Sequence, residues 1–311
     1  MMPPGTVRRG RIACVEIAAK SVLNHVKGMP FGWSINPYRG CYHQCVFCYA
    51  RRTHTFLERS GIGDWGSFLA VKVNAAAVLR RELAHPRWRG DHIAIGTATD
   101  PYQPLEGSYR VTRAILVELA RARTPAHLIT RSPLVVRDID VLQELARAAG
   151  AGLCISLPTL DEELARKIEP TVAPPRQRLR AVTMLANAGL RVGVAVAPVL
   201  PGLTDTESSL RAVHEAAAAA GAAQTWHSVL NLNEVARESY FGFLRAEFPE
   251  LLAANERSYR AKYAPKALVD DIDARVRRAA NGVRFRPRGT IVAQPRRVQL
   301  SLLDDHAPAL C

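Results

Sequence analysis

Cysteine is scarce in this chain of 311 residues: there are six, and three of them crowd into one short stretch at Cys41, Cys45 and Cys48. Cys14, Cys154 and Cys311 stand alone, the pattern of core or incidental thiols and not of a disulfide framework. Long apolar runs are missing too. No stretch of about 18 apolar residues occurs to span a bilayer, and the start of the chain, Met-Met-Pro-Pro-Gly-Thr-Val-Arg-Arg, lacks the apolar region of a signal peptide. The expectation is a reducing, cytoplasmic compartment with no membrane attachment. Acid is in short supply: 28 Asp and Glu against 42 Lys and Arg leave a formal charge of +14. Such an excess suits a polyanionic partner, nucleic acid above all, although a solvated Arg-rich surface has the same composition.

What is present is apolar bulk. At 48% hydrophobic residues the chain can build a large core without metals or disulfides as staples. Its patterning alternates. Strand-like runs at 33–39, 92–95, 127–130, 153–157, 191–197 and 224–230 are separated by helical periodicity at 75–83, 106–123, 134–149, from Asp161 onward, at 176–188 and at 205–220. Strands alternating with helices predict βαβ units and a parallel sheet. About six units can be counted, against the eight of a closed barrel. No Gly-rich phosphate loop follows the first strand, which disfavours a doubly wound dinucleotide fold.

The cysteines lie in Gly40-Cys-Tyr-His-Gln-Cys-Val-Phe-Cys-Tyr49, a C-x3-C-x2-C spacing with no fourth cysteine nearby. Three thiolates can hold three corners of a cubane [4Fe–4S] cluster and leave the fourth iron free for a small molecule. The competing reading is a structural zinc site, with His43 or His54 as fourth ligand, in a zinc-stabilised nucleic-acid-binding module.

The spacing, with an aromatic just before the last cysteine, resembles the radical S-adenosylmethionine (radical SAM) enzymes. The longer run Ser34-Ile-Asn-Pro-Tyr-Arg-Gly-Cys through Cys-Val-Phe-Cys-Tyr-Ala-Arg51 resembles their spore photoproduct lyase-like branch. Thr130-Arg-Ser-Pro-Leu-Val-Val-Arg-Asp138, Glu169-Pro170 with Arg178, and Pro198-Val-Leu-Pro-Gly202 extend the likeness. The resemblance implies a partial (β/α)6 TIM-type barrel over about 31–235. It also implies a [4Fe–4S] cluster on Cys41, Cys45 and Cys48, and reductive cleavage of S-adenosylmethionine (SAM) to a 5′-deoxyadenosyl radical. A flavodoxin or ferredoxin would supply the electron.

In such folds functional groups gather at the carboxyl ends of strands. By resemblance, Phe47 and Tyr49 flank the cofactor, with Phe47 near the adenine. Thr97, Thr99 and Asp100 meet the methionine ammonium, and Arg131 pairs with its carboxylate. Ser156 is placed for a ribose hydroxyl, and the backbone at Ala197 for the adenine edge. Two departures matter. The usual Gly-Gly-Glu run is replaced by Gly96-Thr-Ala-Thr-Asp100. Where the lyase carries its hydrogen-donor cysteine, this chain has Ile95-Gly96-Thr97. A lyase-like relative with another substrate is the expectation, acting on nucleic acid or, alternatively, on a protein or small metabolite. Cys154, two residues before Ser156 and on the same strand face, is the one substitute donor available.

Beyond the barrel, 236–290 reads as a mainly helical, basic extension carrying Arg275, Arg277, Arg278, Arg284, Arg286 and Arg288. There Tyr240, Phe241, Phe243 and Phe248 are expected to pack against the barrel. Residues 1–30 form an N-terminal extension and 291–311 a flexible tail with Arg296 and Arg297. In the tail, Gln299-Leu-Ser-Leu-Leu303 resembles the peptide by which bacterial replication and repair proteins dock on the DNA sliding clamp.

Overall fold

The structure, a computed structural model, describes residues 6–9 and 12–286. The clamp-like peptide at Gln299–Leu303, Arg288, Arg296, Arg297 and Cys311 lie outside the described residues. The chain opens with β1 (Val7–Arg9), β2 (Ile12–Ile17), β3 (Asn24–His25), β4 (Trp33–Ile35) and β5 (Tyr38–Arg39). A 3-10 helix (Tyr49–Leu57), β6 (Phe68–Lys72), α1 (Ala75–Leu83) and β7 (Ile93–Ile95) follow. Next come α2 (Glu106–Tyr109), α3 (Val111–Arg121), β8 (Ala126–Thr130), a second 3-10 helix (Pro133–Asp138) and α4 (Ile139–Ala148). After β9 (Ala151–Ser156) lie α5 (Glu162–Ile168), α6 (Pro175–Asn187) and β10 (Val192–Val199). The remainder is α7 (Glu207–Ala219), β11 (Thr225–Val229), α8 (Glu234–Glu247), α9 (Pro249–Ser258) and α10 (Lys266–Ala280).

The main sheet has the order β11-β10-β9-β8-β7-β4-β3. Six strands, β4 and β7 to β11, are parallel and sit in chain order, while β3 adds an antiparallel edge. Because the order never reverses, the chain winds in one direction, as in a barrel that stops at six units. This is the partial (β/α)6 TIM-type architecture the alternation predicts, with a helical carboxyl-terminal region. Among the described residues no helix is long and apolar enough to cross a membrane.

Local chemistry explains the elements. β10 is a run of small and β-branched apolar residues, buried along nearly its whole length. α4 turns Val141, Leu142, Leu145 and Ala146 inward at helical spacing. Side chains of Asp161, Thr206 and Asn233 accept backbone N–H groups at the starts of α5, α7 and α8. The main core lies between the outer sheet face and the helices, joining residues such as Leu153, Ile155, Val194, Leu142 and Leu185. A second core unites Tyr240, Leu244 and Tyr259 with Cys45 and Phe47, flanked by Phe241, Phe243 and Phe248. The carboxyl-terminal helices therefore pack against the cysteine loop.

Three expectations need correction. The 33–39 strand is two strands in different sheets, divided at Pro37, which has no N–H to continue a ladder. The 106–123 helix breaks at Arg110 (φ +52°), because the Glu106 carboxylate accepts Thr112 N (2.9 Å) and Arg113 N (3.2 Å) and so caps a new helix. The 134–149 helix starts as a 3-10 turn behind Pro133. The N-terminal extension, for which no elements were expected, contributes strands β1 to β3. A second sheet, β1-β2-β6-β5, pairs β2 in parallel with β6 across about 50 residues of chain, a non-local contact that local patterning does not carry.

Gly40 joins β5 to the cysteine loop at φ +76°, and a Cβ there would stand 2.8 Å from Phe68 O and 3.0 Å from His54 Nε2. Gly40→Ala should cost about 1–2 kcal/mol for the left-handed backbone alone, with the clash added. An unchanged urea midpoint for this variant would refute the constraint.

Candidate cofactor site

The cysteine loop is held from several sides through its backbone. Tyr42 N donates to Gln103 Oε1 (2.9 Å), Thr171 Oγ1 donates to Tyr42 O (2.7 Å), and Gln44 N donates to Thr171 Oγ1 (3.2 Å). Val46 N reaches Ile168 O at 3.0 Å. Arg51 is buried beneath the loop. It donates to Cys45 O through Nη2 (3.0 Å) and Nε (3.2 Å), and to Gly61 O through Nη1 (3.1 Å). Satisfying these carbonyls with a buried guanidinium leaves the loop few other conformations.

The three thiols open on one cleft of about 70 Å³ at the carboxyl end of the sheet, together with His43, Tyr49, Thr97, Thr99, Asp100, Ile129 and Arg131. A larger cavity of about 320 Å³ lies at the opposite end of the lumen, lined by His92, His127, Gly152, Arg191, Gly193 and Gln224. It contains no thiol. The smaller cleft is where strand-end chemistry collects.

Burial pushes the Cys41 thiol up to about 12, with Asp100 and Cys48 adding to it. Burial likewise raises Cys45 and Cys48, while the Arg131 cation opposes it at both. Cys48 acts on both Cys41 and Cys45, and all three line one cleft, so they share a single site. Alone they stay protonated; a bound metal would have to displace those protons.

Three thiols arrayed around a cleft suit a larger, polynuclear group. His54 is removed from the zinc reading, because its Nδ1 faces Ser60 O (3.0 Å) and its Nε2 faces Phe68 O (3.1 Å). His43 lines the cleft and is the ligand left to a zinc reading, while three thiols without a fourth cysteine match the three-thiolate cluster.

Asp100 ties β7 to β8. Its Oδ1 accepts Thr130 Oγ1 (2.6 Å) and Tyr102 N (2.8 Å), its Oδ2 accepts Arg131 N (2.7 Å), and His43 Nε2 stands 3.4 Å from Oδ2. Burial would raise its pKa, but His43 and these donors outweigh burial and hold it below the usual carboxylate range. With its lone pairs engaged, Asp100 orients the strand end and has little left for a ligand. Thr99 is similarly spent on Gly40 O (2.6 Å). Asn36, absent from the sequence-derived set, fixes the neighbouring backbone by accepting Ala98 N (2.7 Å) and donating to Thr97 Oγ1 (3.3 Å). Tyr49 OH bonds Thr97 O.

Arg131 keeps more capacity. Its Nε donates to Glu169 Oε1 (2.7 Å), and its guanidinium carbon lies 5.8 Å from the Phe47 ring centroid. No partner is recorded for its Nη groups among the described residues. Glu169 Oε2 meets Arg178 Nη2 at 2.7 Å, and Arg178 Nη1 donates to Ser156 O (2.9 Å). One buried carboxylate thus joins β8, β9 and α6.

Tyr49, Thr97, Thr99, Asp100 and Arg131 line the cleft with the cysteines, whereas Phe47, Ser156 and Ala197 do not. Phe47 is buried in the second core. The Ser156 hydroxyl donates to Ala197 O at 3.0 Å, so these two candidates engage each other. Gln103 and Thr171 act through space from distant positions, and no local signal marked them, whereas Arg51 closes the matching run beside the cysteines. In the carboxyl-terminal region, Arg275 pairs with Asp205 and Asp271, and Arg278 with Glu207, so part of the basic stretch is neutralised within the fold.

Burial would raise the Glu169 pKa, but Arg178 and Arg131 more than offset it and hold the group below the usual range. Its stabilisation is therefore full above the ordinary glutamate value of about 4.3 and is lost as pH falls through the lower folded value. Glu169→Gln should cost about 3–5 kcal/mol at neutral pH by leaving Arg178 uncompensated. It should also flatten the acid limb of stability against pH. Parallel acid limbs in wild type and variant would overturn this assignment.

A model of the radical SAM superfamily matches residues 35–211, more than half of the chain. An uncharacterized protein of Mycobacterium tuberculosis is 38% identical over 265 residues, covering 84% of this chain and 78% of its own. An uncharacterized protein of Methanocaldococcus jannaschii is 29% identical over 197 residues, covering 63% and 71%. Among solved structures, spore photoproduct lyase with bound AdoMet and dinucleoside spore photoproduct aligns with a TM-score of 0.64. That alignment is at 14% identity and covers 87% of this chain and 79% of that one. The likeness is one of fold. Family membership implies an iron–sulfur cluster and SAM as cofactors. Carrying that family's signature through its barrel, the chain belongs to the radical SAM superfamily and is an enzyme of that kind.

Proposed function

We propose that Cys41, Cys45 and Cys48 hold a [4Fe–4S] cluster, that SAM binds beside it, and that the substrate is nucleic acid. The observation that carries the cofactor reading is the sharing of one cleft by three thiols and the Arg131 cation. The chemistry such a cofactor pair brings is one-electron reductive cleavage of SAM, giving a 5′-deoxyadenosyl radical. The protein's own part is orientation and exclusion of water and oxygen. Arg131, steadied by Glu169, offers its Nη groups to a carboxylate such as that of methionine. Asp100 and Asn36 hold the β7 strand end in shape, so that its backbone carbonyls rather than its carboxylate face an ammonium. Tyr49 and Ile129 wall the cleft.

Support for nucleic acid comes from the +14 formal charge and from the shared fold with a lyase whose solved complex holds a dinucleoside photoproduct. A flavodoxin or ferredoxin fits as electron donor. The clamp-like peptide at Gln299–Leu303 would bring such an enzyme to replicating or repaired DNA.

Anaerobic reconstitution with iron and sulfide, followed by SAM and a strong reductant, should yield 5′-deoxyadenosine. Cys45→Ala should yield none and bind no cluster by iron and sulfide analysis. Binding to DNA or RNA should weaken steeply with salt, the log–log slope counting the phosphates neutralised. Zinc in place of iron–sulfur would overturn the cofactor assignment, and a flat salt response would turn the substrate reading toward a protein or small metabolite.

A further inference from the structure

The inner face of the sheet is uneven. In-register pairing places Ser156, Ala195 and Trp226 in one row across β9, β10 and β11, and Arg131 continues that row one residue beyond β8. Cys154, Ala195 and Ala197 pack together on this face with Ile129. Alternation along β11 agrees. Thr225 meets His214 of α7 at 2.9 Å and His227 meets Asp273 of α10 at 2.8 Å, both on the outer side, so Trp226 between them faces the lumen.

The row therefore has a cation at one end, an indole at the other, and only Ser156 and Ala195 between them. At the usual strand spacing the two walls stand roughly 14 Å apart. Arg131 is the link to the cofactor cleft, which it lines together with Cys41, Cys45 and Cys48.

Trp226 is 38% exposed, unusual for so large an apolar side chain on the inner face of a barrel. It is also fixed. Its Nε1 donates to Cys154 Sγ at 3.0 Å, and Cys154 is itself buried. A hooked indole has lost its rotamer freedom before any ligand arrives, so a partner laid on its face meets little further entropic cost. β11 is the last strand of the sheet, so Trp226 stands at the unclosed edge of the barrel, where a large substrate can reach the lumen from the side.

We propose that Trp226 is a specificity-determining wall of the reaction chamber, against which a nucleobase of the substrate stacks opposite Arg131. This rests on the nucleic-acid reading above. A planar base matches the exposed indole face at the open edge of the sheet, and its phosphates match the surplus positive charge.

The experiment measures anisotropy of a short fluorescein-labelled single-stranded oligodeoxynucleotide with the reconstituted, SAM-bound enzyme over a series of salt concentrations. Trp226→Ala should weaken binding by roughly ten- to hundredfold, the range that base–aromatic stacking contributes. Stacking releases no counterions, so the salt slope should stay as in wild type. Trp226→Phe should remain within about threefold of wild type by keeping a π-face. SAM affinity should not change in any variant. Trp226→Leu, which keeps apolar bulk without a π-face, carries the test if the alanine variant does not fold. Wild-type affinity in the Ala or Leu variant removes Trp226 from the chamber while leaving the nucleic-acid reading standing. A parallel loss of SAM binding would make the residue structural and overturn the proposal. Failure of wild type to bind oligodeoxynucleotide at low salt would sink both together.

Discussion

A single carboxylate buried between two guanidinium groups underlies the site. Glu169 bridges Arg131 and Arg178, and through them the end of β8, the end of β9 and the start of α6 are locked together. Taking these charges out of water is expensive, and their mutual attraction repays it only while every partner is in place. The arrangement is thus less a source of net stability than a gauge of geometry. A shift that loosens one contact leaves a charge stranded in the interior, so alternatives near the native arrangement are strongly disfavoured. Arg131 inherits that rigidity, and with it the position of the cation that lines the cleft with the thiols.

The cysteine loop shows the complementary device. Its thiols are left without close ionic partners, while its backbone is tied by Arg51, Gln103, Thr171 and the Ile168 carbonyl. Fixing the backbone and leaving the ligating atoms unspent is what preorganisation for a guest requires. The helices α8 and α9 reinforce this from below, since Cys45 and Phe47 belong to their core and not to that of the barrel.

Much of the architecture was legible before any coordinates. Ala75–Leu83 matches the periodicity to the residue, and the six parallel strands follow from alternation of strand and helix signals. The cysteine spacing marked the site because it is local. What was hidden depends on distance in the chain. The pairing of β2 with β6, the reach of Thr171 to Tyr42 and the knot around Asp100 are all non-local, and each joins residues whose immediate neighbours give no hint. Asp100 and Thr99 were singled out as ligand contacts because they match the strand end at which radical SAM enzymes bind the methionine ammonium. Both line the cleft with the cysteines, and their hydrogen bonds also serve the fold, which only three-dimensional partners can reveal. The break at Arg110 escaped for a related reason, as the cap that makes it comes from Glu106, inside the segment expected to be helical throughout.

The bulky apolar residues lie between the sheet and its helices, whereas the lumen is lined by Gly152, Gly193, Ala195 and Ala197 with open volume at its amino end. Folding energy and chamber shape are therefore carried by different sets of residues. The large apolar contacts of the outer layer do not depend on what the chamber accepts, although close positions such as Gly152, where a Cβ would stand 2.5 Å from His127 Nδ1, limit how the wall can change. A fold organised in this way keeps its radical chemistry constant and leaves its substrate free to diverge.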